Sequence, residues 1–447
     1  MGSSVEKNCR IEGTVAPGFE SVRQLYEHTM QTMAEENTQL CIYHRGNKVV
    51  DLWASTTHDN EFTADSLINV FSSGKSLESI AMASLVGKGL LDYEVKIADY
   101  WPEFTSHGKG DITVSQLMRH EAGLASFDVS LEMDDLLTQN LKKNKIGRII
   151  EQQEQTFGSK DGERREYHAV TRGWIANELF RRVDPAGRTI GEFLREDISG
   201  PLDVDVIIGV KEEELDRVSK ISPLGFGFQF LESLKPKFLG RRIVHNIFQI
   251  LGRLLRMIPA LRRGASAGAP PPFVGMDGIS FFNQRGIARG ETPSANANCS
   301  ARGLAKLAAV MSAGGTFAGT EYLTESACKA MHDNAIKADM GGFLPTRFTQ
   351  GGLALFTECD QDSSKLEREF NGGREGFYGW MGLGGSIFQW HPELDIGFAF
   401  VPTSLHVLDL LNERGKVYQA EVLNCIEKMN AAATQGDEAA DAYAPST

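Results

Sequence analysis

The sequence predicts an α/β protein of the α+β type: a five-stranded antiparallel sheet flanked by helices, joined to a mostly helical second lobe. Three observations lead there. Strand-like stretches cluster at the two ends of the chain, at 40–45 and 48–54 and again at 351–356, 385–390 and 396–401. The residues between them carry mainly helical periodicity. One stretch, Ser72 to Val86, is apolar on nearly every side (Leu77, Ile80, Ala81, Met82, Ala83, Leu85, Val86), the mark of a helix buried in a large core. At 447 residues the chain also exceeds what one core holds, so two lobes are expected with a cleft between them.

In chain order, Phe19 to Ala34 aligns Phe19, Val22, Leu25, Tyr26, Met30 and Met33 on one helical stripe. The two early strands are separated by Gly46-Asn47, a hairpin signal. Thr113-Val114-Ser115-Gln116 has capping-box form and opens a short helix. Leu131–Gln155 and Val170–Val183 look helical, as does Ser300–Ser312, with Leu304, Leu307, Ala308 and Met311 inward. Leu405–Met429 reads as a long terminal helix. The expected layout is one domain over 13–430, with a sheet lobe from 13–90 and 345–430 and a helical lobe from 91–344. The first and last helices cover one face of the sheet and the 72–86 helix the other. An acidic, alanine-rich tail at 431–447 is expected to be disordered.

Composition narrows the function. A net charge of −13 argues against nucleic acid as a partner. The six cysteines are scattered without a Cys-x-x-Cys pair and read as buried thiols of a reducing compartment. The ten histidines lack metal-ligand spacing, so neither metal nor cofactor is expected. The N-terminal residues show no apolar signal region, and Glu6 spoils the myristoylation pattern of Met1–Glu6, so a cytoplasmic location is expected. Asn298-Cys299-Ser300 is a formal glycosylation sequon, idle without secretion.

Residues 233–273 stand apart. From Ser233 to Arg263 there are eight basic residues and no Asp or Glu, on a strongly apolar background; Gly264 to Pro272 follows as a small-residue, proline-rich loop. Such a segment suits peripheral contact with an anionic membrane or a lid over an apolar cleft. It equally suits an insertion packed on the body with its arginines in water.

The chemistry concentrates in Ser72-Ser73-Gly74-Lys75. Ser-x-x-Lys also occurs at Ser4/Lys7, Ser106/Lys109 and Ser326/Lys329, but only Ser72/Lys75 opens a buried helix. With a helix starting near Ser72, the two side chains share a face, and Ser72 sits among free backbone N–H groups. That suits a serine nucleophile with its base one turn away.

Several stretches in order then resemble the serine β-lactamase and penicillin-binding-protein superfamily, closest to its class C-like esterase branch. They are Phe71-Ser72-Ser73-Gly74-Lys75, Asp99–Phe104, Leu117–Leu124, Tyr167-His168-Ala169 at the Tyr-x-Asn position, and Gly379–Ser386 at the Lys-Thr-Gly position. The resemblance spans roughly Gly13 to Met429. It implies a β-lactamase/transpeptidase-like fold, with Ser72 as nucleophile and Lys75 holding or relaying its proton. Tyr167 is implied as partner base in acylation and acid for the leaving group. The implied oxyanion hole uses the backbone N–H groups of Ser72 and of Leu383, just after Gly382.

Departures from the pattern bear on the substrate. Ala169 replaces the asparagine, and Trp380-Met381-Gly382 replaces Lys-Thr-Gly. The superfamily's β-lactamases and peptidases use that lysine to attract the substrate carboxylate; Trp380 offers an apolar face and one N–H. The expected function is therefore a serine hydrolase of carboxylic esters acting through an acyl-enzyme on Ser72. Acyl transfer, a β-lactamase- or peptidase-type amidase, and a non-catalytic scaffold on the same fold are the alternatives. The expected partner is a small-molecule ester or amide.

Overall fold

The computed structural model describes residues 9–57, 59–158, 164–263, 268–342 and 344–441. Its main sheet is built from β1 (Arg10–Val15), β2 (Asn37–His44), β3 (Asn47–Ser55), β4 (Ile336–Met340), β5 (Leu344–Phe348), β6 (Ala354–Leu355), β7 (Tyr378–Met381), β8 (Ile387–His391) and β9 (Ile396–Pro402). These lie side by side in the order β1-β3-β2-β9-β8-β7-β6-β5-β4, antiparallel throughout. The two ends of the chain thus meet at the β2–β9 pair, where Leu40 faces Phe400 and Ile42 faces Phe398.

The sheet has nine strands, not the five expected. All five expected strands are present; β1, β4, β5 and β7 are additional. β1 and β4 are partly exposed and polar, so their alternation is weak; β5 alternates in burial but carries Pro345, Thr346 and Arg347 between its apolar ends. In β7 a glycine mimics a loop. Gly379 has φ +115, and a Cβ there would stand 2.6 Å from Phe388 O, so glycine is what lets β7 lie against β8. The hairpin turn is also one residue earlier than expected. Arg45 (φ 50) and Gly46 (φ 71) supply the two left-handed residues, and Asn47 already pairs with His44.

Both faces of the sheet are covered, which is why its central strands read as nearly continuous apolar runs. On one face Leu40, Ile42, Phe398 and Phe400 pack with Val22, Tyr26 and Met30 of the first helix (Glu20–Thr32). Tyr418, Val422 and Ile426 of the last helix (Glu413–Asp441) join them. On the other face Cys41, Phe388, Ala399 and Val401 pack with the central helix (Lys75–Gly87) and the Ala301–Ser312 helix.

Elsewhere the structure refines the sequence reading. The Thr113 capping box forms, with Gln116 N bonded to Thr113 Oγ1 at 3.2 Å and Thr113 N to Gln116 Oε1 at 2.9 Å. Leu131–Gln155 is not one helix but three short pieces, interrupted by left-handed Asn144. The last helix runs through Asp441, so the tail expected to be disordered from 431 is helical over its first part, consistent with the helix propensity of its alanines. Residues 442–447 lie outside the described residues, as do Ser4/Lys7, Met1–Glu6 and 264–267. Asn298 of the sequon is buried in a short strand. Cys9 and Cys359 are only half-buried; the other four thiols are buried.

Candidate active site

Ser72 does not open the α-helix directly. It lies in a 3-10 turn, Phe71–Gly74, which runs into the α-helix at Lys75. This brings Ser72 and Lys75 closer than an α-turn would, because residues three apart eclipse in 3-10 geometry. Lys75 Nζ stands 3.4 Å from Ser72 Oγ. The preceding Phe71 is buried and left-handed at φ 46, a costly conformation for a bulky side chain. Its N–H is held by Asn69 Oδ1 at 2.8 Å. Ser72 itself is half-buried.

Lys75 is fully enclosed. Besides Ser72, its Nζ donates to Ala169 O at 2.6 Å and Ser294 O at 3.2 Å. Burial pulls its pKa well below 10.5; Glu78 opposes that shift and Arg172 adds to it. A neutral amine keeps two N–H donors for the two carbonyls and one lone pair for the Ser72 hydroxyl. Ala169, at the family's asparagine position, therefore contributes a backbone carbonyl in place of a side-chain amide.

Tyr167 faces this pair. Its hydroxyl bonds with Ser72 and accepts from Trp380 Nε1 at 2.9 Å, and Lys75 Nζ lies 4.9 Å from its ring centroid. Burial pushes the phenol up to about 12, so it carries its proton at neutral pH. His120 and His168, adjacent to Tyr167, are also neutral: burial lowers both, His168 to about 4. Both His168 nitrogens are already engaged, with Glu166 O at 2.6 Å and Leu124 N at 3.1 Å.

The β7–β8 loop closes the site from the other side. Trp380 N donates to Ser76 Oγ at 3.1 Å, and Ser386 Oγ bonds Val70 O at 2.7 Å and Ser73 Oγ at 3.0 Å. Gly382 N donates to Ser386 O at 2.8 Å. A side chain at Gly382 would place its Cβ 2.2 Å from Val70 O. Leu383 follows with an exposed side chain, and its N–H has no acceptor among the described residues. The structure thus gathers Ser72, Lys75, Tyr167, Trp380, Gly382 and Leu383 at one place.

A supporting layer escaped the sequence reading. Glu78, one turn beyond Lys75, and Arg172 form a wholly buried ion pair at 2.8 Å. Arg172 also donates to Lys75 O, Met118 O and Gly352 O, and Ser294 Oγ donates to Glu78. The available signal was a carboxylate three residues after Lys75 in an otherwise apolar helix. The other Ser-x-x-Lys pairs differ. Lys109 is buried but spends its ammonium on Ser106 O, Glu151 O and Gln153 O, and Lys329 is exposed and paired with Asp333.

Comparison with known proteins identifies relatives over most of the chain. The chain is 25% identical over 407 residues to the esterase/β-lactamase LipL of Mycobacterium tuberculosis, covering 89% of this chain and 83% of LipL. It superposes on a penicillin-binding-protein homologue from Caulobacter crescentus with a TM-score of 0.70 at 25% identity, covering 92% of this chain and all of that one. A family VIII carboxylesterase shares the fold, with a TM-score of 0.70 at 24% identity over 93% of this chain and 100% of its own. The Beta-lactamase family model matches residues 22–419, nearly the whole chain. The protein is therefore a member of the β-lactamase family.

Proposed function

We propose that the protein hydrolyses carboxylic esters through an acyl-enzyme on Ser72. The observation that carries this is the hydrogen-bonded chain from Lys75 Nζ through Ser72 and Tyr167 OH to Trp380 Nε1. Neutral Lys75 takes the proton of Ser72 as its Oγ attacks the carbonyl. The oxyanion is held by the N–H groups of Ser72 and Leu383. Tyr167, protonated at neutral pH, donates to the departing alkoxide and is reprotonated from Lys75. Water then attacks the acyl-enzyme by the same route in reverse. On this reading Lys75 is the acylation base, and Tyr167, with its raised phenol pKa, keeps the acid's part of the two, base and acid, expected from sequence.

Esters are favoured over β-lactams because of Trp380. Its single N–H is already committed to Tyr167, so nothing on that side chain remains for a substrate carboxylate. The test is labelling with a fluorophosphonate probe read by intact mass, together with turnover of short p-nitrophenyl esters, penicillins and cephalosporins. The expected outcome is one adduct, on Ser72, absent in a folded Ser72→Ala variant that has lost ester turnover. The ester kcat/KM should exceed that for any β-lactam. An adduct on another serine, or a larger β-lactam value, overturns the reading.

A further inference from the structure

The basic insertion is turned inside out relative to an ordinary surface helix. In the Ile247–Arg263 helix the inward side chains include Arg253, while Phe248, Leu251, Leu254, Leu255 and Ile258 face outward. Arg253 is held by Glu413 at 2.6 Å, Glu369 at 3.0 Å and His245 at 2.7 Å; His245 in turn contacts Asp409. The helix start is fixed by a reciprocal cap, Gln249 N to Asn246 Oδ1 at 3.0 Å and Asn246 N to Gln249 Oε1 at 2.9 Å. The apolar residues are therefore presented outward by specific polar anchors rather than left over from loose packing.

The neighbouring Phe226–Leu234 helix and Lys237–Leu239 turn extend the same exposed apolar surface. Phe226 is 76% exposed, Phe238 86% and Phe248 81%. Most of the large apolar side chains exposed among the described residues fall within 226–258. A patch of this kind marks a binding surface. Its charge is one-sided. Lys235, Lys237 and Arg256 are exposed, and the sole carboxylate in 226–258, Glu232, is buried against Lys235 and the Arg242 N–H.

We propose that this surface docks on an anionic phospholipid bilayer, with Phe226, Phe238, Phe248 and Leu255 entering the interface and the exposed Lys and Arg meeting the headgroups. Charge selects lipid over a second copy in a two-fold contact, which would set the basic rim against itself with no exposed acid to answer it. The same charge orients the molecule. Removing the eight positive charges of 233–263 from −13 leaves about −21 on the rest of the chain, which an anionic membrane repels. No helix among the described residues is long and apolar enough to cross a membrane, so contact through this insertion is peripheral.

The test is co-sedimentation of the full chain with phosphatidylcholine vesicles, with and without phosphatidylserine, over a range of salt. Binding is expected with phosphatidylserine and should weaken as salt rises. It should fall at least about tenfold in Phe238→Asp/Phe248→Asp and in Lys235→Glu/Lys237→Glu/Arg256→Glu. Each variant is checked for an unchanged melting temperature and unchanged turnover of a water-soluble ester, since none of these residues touches Ser72, Lys75 or Tyr167. Equal recovery in the supernatant with both vesicles overturns the proposal, as does binding that these folded variants retain. An oligomer that the phenylalanine substitutions dissociate, without vesicle binding, also overturns it and assigns the face to self-association.

Discussion

At the scale of single residues, protonation decides what the site can do. The proposed reaction needs Lys75 neutral and Tyr167 protonated. Burial arranges both by lowering one pKa and raising the other. The ester kcat/KM should therefore rise with pH through an acid limb set well below 10.5, and fall only as Tyr167 ionises near 12. Lys75→Arg should abolish turnover across the range, because a guanidinium has no neutral form to offer. Stability should move with the same group. The folded pKa of Lys75 lies below its unfolded value, so the unfolded chain binds more protons between the two and wild-type stability rises with pH across that window. The melting temperature of Lys75→Met, relative to wild type, should accordingly improve as pH falls from 10.5 towards the folded pKa; a pH-independent difference would mean that Lys75 is not desolvated. Ser72, Lys75 and Tyr167 were legible in the sequence because their motifs are short and ordered. Glu78 and Arg172 were not, because their pairing joins residues far apart in the chain and has no local pattern.

At the scale of elements, two short pieces of backbone set the geometry: the 3-10 turn at Phe71–Gly74 and the loop after β7. Neither has a periodicity to read: Gly379 interrupts the apolar pattern of β7, and Gly382, Gly384 and Gly385 follow it in the loop. Gly382 is the point where the loop meets the turn's backbone. Val70 O, which a Cβ would meet at 2.2 Å, is backbone fixed by Ser386 and cannot yield as a side chain could. Gly382→Ala should push the loop off the turn and displace the Leu383 N–H. The expected loss in ester kcat/KM is at least about a hundredfold, the scale of one lost oxyanion donor. Fluorophosphonate labelling of Ser72 should slow alongside it. A folded Gly382→Ala enzyme with wild-type kcat/KM would remove Leu383 from the oxyanion hole. The first helix and the capped helices were read correctly from sequence because their signals are local; the last helix, expected from Leu405, starts only at Glu413, after Ser404 and Leu405 have paired as a short strand. The broken 131–155 segment was not, since its apolar residues keep helical spacing across the left-handed Asn144.

At the scale of the whole molecule, the first and last parts of the chain share one sheet face and one buried charge network. Arg414, near the start of the last helix, makes a bidentate pair with Glu35, which follows the first helix, with both contacts at 2.8 Å and both side chains wholly buried. The same guanidinium donates to Gly384 O at 2.6 Å and Ser404 O at 3.1 Å. It therefore joins the N-terminal hairpin, the last helix and the loop beside the proposed oxyanion hole. A buried pair of this kind adds little over an apolar replacement, but removing one partner strands the other charge in the core. Arg414→Met should destabilise the fold by about 3–5 kcal/mol, seen as a lower urea midpoint at unchanged slope. Ester turnover should fall as well, because Gly384 loses its charged donor and keeps only His406 N while Ser72, Lys75 and Tyr167 stay in place. Adding Glu35→Leu to Arg414→Met removes the stranded carboxylate and should recover much of the stability. It should not restore turnover, because Gly384 O keeps only the longer hydrogen bond from His406 N at 3.2 Å. Recovery of both together would mean that the pair acts on the site only through global stability, and recovery of neither would mean that Glu35 is not the charge that Arg414 neutralises.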